Sequence, residues 1–108
     1  MNLRRHFSLK STAIVVLFLF VTACVTAPAP IEEWTLARAA IEAAKSVEAA
    51  RHSPGFWHQA EESYRRARIL YDEREFEKAK MEFYKARVAA ERAENSARLI
   101  RLRNGEVL

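Results

Sequence analysis

Phe76, Ala79, Phe83, Ala86, Ala90, Ala93, Ala97 and Ile100 recur at intervals of three and four residues without interruption. That spacing lines up one face of an α-helix and is the register of a helix–helix seam. At about 1.5 Å per residue the seam runs for roughly 36 Å, so it predicts one long helix over 75–103. The seam changes character along its length. Its first half carries two phenylalanines, and its second half is alanine until Ile100. A buried methyl contributes far less than a buried leucine, worth about 1.5–3 kcal/mol, but small side chains let two helix axes approach closely.

Two further helices are predicted to supply that approach. After residue 30 the chain contains two glycines, one proline and abundant alanine, a composition that favours helix. The first helix is expected over 31–51, with Glu32 and Glu33 in its first turn, where acidic side chains suit the positive helix end. Leu36, Ala40, Ala43, Val47 and Ala50 form one apolar row, and Ala37, Ile41 and Ala44 a second beside it. The clearest break is His52-Ser53-Pro54-Gly55: Ser53 suits a helix cap and Pro54 the first helical position. The second helix, over 54–72, places Trp57, Ala60, Tyr64, Ala67, Leu70 and Tyr71 on one side. Asp72-Glu73-Arg74-Glu75 separates it from the third. The expected fold is therefore all-α, an up-down-up bundle of three helices over 31–104 with 105–108 as a tail. The third helix outlasts the second, so its end is expected to project.

The start of the chain has a different pattern. Arg4, Arg5 and Lys10 precede the apolar stretch Ala13–Val21, which is followed by Thr22, Ala23 and Cys24. A basic start, an apolar run and small residues are the order of a secretory signal peptide. The alternative, a transmembrane anchor, needs about 20 apolar residues, and Lys10 and the prolines at 28 and 30 leave less than that. Residues 1–23 are thus expected to be removed between Ala23 and Cys24. Residues 24–30, with Pro28 and Pro30, form an extended spacer.

Processing changes the charge argument. The chain carries +4 overall, but residues 1–23 hold three basic and no acidic side chains, so the remainder has 15 basic against 14 acidic. Those charges alternate in sign and leave no basic face for nucleic acid. With Cys24 the single cysteine, an internal disulfide and a Cys-rich zinc site are both excluded.

The placement of Cys24 after Val21-Thr22-Ala23 resembles the lipobox of bacterial lipoproteins. The resemblance implies acylation of Cys24 and a membrane tether, with Val25 similar to the pattern sorted to the outer membrane, facing the periplasm. Ala67 and Leu70, then Phe76, Ala79, Phe83 and Ala86, resemble a single tetratricopeptide hairpin whose usual turn glycine is replaced by Arg74. Most of the chain is similar to small alanine-rich bacterial lipoproteins with an uncharacterised helical domain, related to segments that precede OmpA-like domains. The residues that carry this are Ala37-Arg38-Ala39-Ala40, then Ala60, Tyr64 and Ala67, then Phe76-Glu77-Lys78-Ala79-Lys80 and Ala86. This resemblance implies a location and a fold; the family has no agreed activity.

Nothing in the remaining residues composes a catalytic site. His52 and His58 lie six apart across Pro54-Gly55, whereas helical metal ligands sit at i and i+4; no metal or cofactor is expected. Glu73/Glu77 and Glu91/Glu94 each have Lys or Arg within a turn, the pattern of a solvated face. No serine has the glycine-flanked turn of a nucleophile. The aromatic residues, Trp57, Tyr64, Tyr71, Phe76, Phe83 and Tyr84, fall mostly on core stripes. Trp34 suits either a membrane interface or the bundle base. Two interaction surfaces are expected: the seam Phe83, Ala86, Ala90, Ala93, Ala97 and Ile100, open to a partner or a second copy, and a docking end of Arg98, Leu99, Arg101, Leu102 and Arg103. The function expected is that of a non-enzymatic, lipid-anchored interaction module. The alternative is a tetratricopeptide-like peptide-binding adaptor or an accessory subunit of an envelope complex.

Overall fold

The computed structural model describes residues 2–21 and 27–106. Among them are five helices and no strands: α1 (Asn2–Val21), α2 (Ile31–Ser46), α3 (Ala49–His52), α4 (Pro54–Asp72) and α5 (Phe76–Arg103). The junction expected between Ala23 and Cys24 lies outside the described residues. Among the described residues, helix α1 makes no contact with the other four, and its described apolar side chains, such as Phe7 and Phe18, face solvent. No helix among the described residues is long and apolar enough to cross a membrane.

The start of α4 and the ends of α4 and α5 have local causes. Pro54 opens α4 at its first position, and Ser53 before it is held out of helical geometry (φ −140°, ψ 60°), as the proline ring requires. Ser53 makes no side-chain capping hydrogen bond. Helix α4 ends in a Schellman turn. The Glu75 amide donates to the Leu70 carbonyl and the Arg74 amide to the Tyr71 carbonyl, at 2.9 and 3.0 Å, with Arg74 left-handed at φ 60°. This is the glycine position of such a turn, and an arginine fills it. Helix α5 ends the same way through Gly105 at φ 73°, the Glu106 amide donating to the Arg101 carbonyl.

The first predicted helix is broken. Residues 31–51 do not form one rod: α2 stops at Ser46, Glu48 takes φ 58°, and α3 restarts as a single turn. The predicted apolar face also rotates. Ala37, Ala40, Ile41, Ala44, Val47 and Ala49 are buried, while Leu36 is 40% exposed. The second row, not the first, faces the core, and only Ala40 and Val47 of the first row join it.

Helix α5 is the axis against which α2, α3 and α4 all pack. Around Phe83, the one large side chain fully enclosed among the described residues, are gathered Ala37, Ala67, Ala79 and Ala86 with Trp34, Tyr64, Leu70 and Tyr71. Farther along, Ala89, Ala90, Ala93 and Ala97 meet Ile41, Ala44, Val47, Ala49, Trp57 and Ala60. The aromatic half is thus filled by rings and the alanine half by close approach, with Trp57 supplying bulk. Ion pairs tie the outer faces: Arg66 reaches Glu82 at 3.4 Å across α4 and α5, and Lys80 reaches Glu33 at 3.4 Å across α5 and α2. The cations of both pairs are half exposed while the carboxylates are more enclosed.

Candidate functional site

The heptad seam was expected to be open to a partner. Phe83, Ala86, Ala90, Ala93 and Ala97 are instead 0% exposed within the single chain. The reason lies in α2 and α3, which together with α4 cover the alanine half of α5. Ile100 alone of the set stays partly exposed. A partner helix cannot reach this face unless the chain first opens, so the seam is corrected from an interaction surface to the core.

The docking end is divided by the structure. Leu99 and Leu102 are 65% and 58% exposed, and Arg103 lies exposed beside them. Arg98 turns back along α5 and donates to Glu94 at 2.7 Å. Arg101 faces inward, 14% exposed, its Nε 3.4 Å from Glu106. The end of α5 therefore does not project freely as expected. The turn at Gly105 folds Glu106 back towards α3, where it meets His52 at 3.5 Å.

The aromatic residues belong to the bundle. Trp34 packs inside it, donating from Nε1 to the Tyr64 hydroxyl at 2.9 Å and meeting Tyr71 edge-on at 4.6 Å. Tyr64 is itself edge-on to Phe83 at 5.8 Å, and Tyr71 to Phe76 at 5.4 Å. Tyr84 is the exception: it is half exposed, carries the Arg87 guanidinium over its ring, and lines an open groove of about 460 Å³ between α4 and α5 with Ser63, Arg66, Val88 and Arg92.

The charged face at Glu91 and Glu94 pairs as the sequence pattern predicts. Glu91 lies 3.6 Å from Arg87, and Glu94 2.7 Å from Arg98. Neither Glu91 nor Glu94 stands apart from a cation. The two histidines are not brought together. His58 on α4 is exposed near Glu61, whereas the His52 side chain at the end of α3 is 6% exposed. Sequence reasoning missed Glu48 and Glu106 as its neighbours. The i,i+4 spacing of Glu48 and His52 and the Asn104-Gly105 stop signal were readable, but only folding shows that they meet.

Comparison with curated proteins and with solved structures gives no match. A family model does match, over residues 32–105, the span that contains α3, α4 and α5 and all but the first residue of α2. The chain belongs to the family defined by that model, a domain of unknown function designated DUF4398.

Proposed function

We propose that this chain is a non-catalytic, lipid-anchored module of a bacterial cell envelope, tethered through acylated Cys24 and engaging another protein through the exposed outer side of α5. The observation that carries the reading is the order of the first 24 residues: basic start, apolar run, Val21-Thr22-Ala23-Cys24. Its complement is that, among the described residues, α2–α5 close a core to which α1 contributes nothing. Acylation at both the thiol and the new amino group fits stable anchoring, since a single chain binds only marginally. Val25 favours the outer membrane, with the module facing the periplasm.

In this reading α2 with α3, then α4, then α5 act as the arms of an up-down-up bundle. Leu99, Leu102 and Arg103 form the contact surface for a partner protein, in place of the enclosed seam. Pairing of the surface carboxylates with Lys and Arg supports a role without catalysis. The peptide-binding adaptor gains no support from Tyr64, whose hydroxyl and ring are engaged within the bundle.

The test is mass spectrometry of the protein isolated from its own cells. The expected product begins at Cys24 and carries the mass of its acyl chains. An unmodified thiol, or an intact leader, overturns the anchoring and with it the assigned location.

A further inference from the structure

Among the described residues, His52 holds a buried polar atom that the bundle leaves without a hydrogen bond. Its side chain is 6% exposed, and Nε2 is sealed from solvent with no hydrogen-bond partner. Leaving a buried polar atom in that condition is unfavourable. Nε2 nevertheless points at two carboxylates, 3.6 Å from Glu48 Oε2 and 3.5 Å from Glu106 Oε2. Both separations are too long for a hydrogen bond. They match the edge of a tetrahedron built from metal–ligand bonds of about 2.0–2.2 Å, which is roughly 3.3–3.6 Å. One ligand atom from each of the three residues lies within 4.8 Å of the other two.

We propose that Glu48, His52 and Glu106 bind a divalent transition-metal ion of the zinc class. One imidazole nitrogen with two carboxylate oxygens is a mixed donor set suited to such an ion, whereas calcium and magnesium prefer oxygen alone. Three protein ligands leave a fourth position for water or a partner's side chain.

The neighbouring cations fit the same arrangement. Arg101 Nε lies 3.4 Å from Glu106, and a ligating carboxylate is commonly oriented by a second donor of this kind. Arg51 approaches Glu48 only to 3.9 Å and is 72% exposed, so it can swing into solvent when the ion enters. The backbone supports the placement as well. Glu48 sits at the left-handed break between α2 and α3, and Glu106 follows the left-handed turn at Gly105. Both breaks aim a carboxylate at the end of α3. A bound ion would then pin the far end of α5 to α3, beside the exposed Leu99 and Leu102. The site stands independently of the lipid anchor.

The full chain in detergent, freed of metal by chelator, is titrated with Zn²⁺ against a chromophoric competitor. One ion per chain is expected, with micromolar or tighter affinity and a rise in Tm. His52→Gln and Glu106→Gln should each weaken binding at least tenfold, and His58→Gln should leave it unchanged. Glu106→Gln lies beyond α5 and keeps the core intact, so its loss of binding cannot be blamed on unfolding; helical circular dichroism checks this. X-ray absorption of the bound ion should show one nitrogen and two carboxylate oxygens near 2.0–2.2 Å. Absence of binding overturns the proposal. So does binding that survives His52→Gln and Glu106→Gln, or that His58→Gln abolishes.

Discussion

Trp34 lies over Phe83 with ring centroids 5.5 Å apart and planes inclined by 14°. The contact joins the first turn of α2 to the centre of the aromatic half of α5, and the Trp34 indole N–H is at the same time bound by Tyr64 of α4. One side chain thus ties three helices together.

Trp34→Ala removes the stack on Phe83, the edge contact with Tyr71 and the hydrogen bond. We expect a loss of about 3 kcal/mol, the lower end for a tryptophan truncation because the ring is only partly buried. Trp34→Phe keeps ring packing and gives up the hydrogen bond, costing about 1 kcal/mol. Urea unfolding of both variants separates the two contributions.

Arg74 occupies a left-handed position that favours glycine. For a non-glycine residue that backbone costs about 1–2 kcal/mol, against about 0.5–1 kcal/mol for the greater chain freedom of glycine. Arg74→Gly should therefore stabilise the chain by roughly 0.5 kcal/mol. By the same balance Gly105→Ala should destabilise it by roughly 0.5 kcal/mol through backbone conformation alone, because an added Cβ there meets nothing within 4 Å. Paired denaturation midpoints check both signs.

Ala93 is fully enclosed. A glutamate there buries a carboxylate without a partner, a cost of several kcal/mol that matches the net stability of a domain this small. Ala93→Glu should lose its helical circular dichroism, rather than merely dissociating an assembly. Leu99→Glu and Leu102→Glu change exposed side chains and should stay within about 0.5 kcal/mol of the parent. If partner capture in native cells falls in these two variants while stability holds, the outer side of α5 is the docking surface.

Among the described residues α1 makes no contact with α2–α5, so a chain without residues 1–23 is expected to keep its packing. The thermal midpoint of the remainder should shift by no more than about 2 °C, since a loss of 1 kcal/mol would move it by about 4–8 °C. Calorimetry of the two forms is the check.

Much of the fold was legible because its signals are local. The Ser53-Pro54 start and the 3-4 repeat fixed α4 and α5 to within a residue, since proline geometry and helical periodicity act over a few positions. The break at Val47–Glu48 carries no glycine or proline, and a left-handed glutamate is held there by tertiary packing, so no nearby residue announces it. The seam showed which face of α5 is buried, but not by what. That answer depends on α2 and α3 reaching its alanine half. Glu106 and His52 illustrate the same limit: each is unremarkable in its own turn, and their meeting depends on how two distant chain reversals are aimed.

A core assembled mainly from methyl groups hides little greasy area for each residue it orders. Melting it exposes correspondingly little such area to water, and exposed apolar area is what raises heat capacity on unfolding. Plotted against temperature, the stability of this bundle should trace a broad, shallow arch, changing little between a cold and a warm cell.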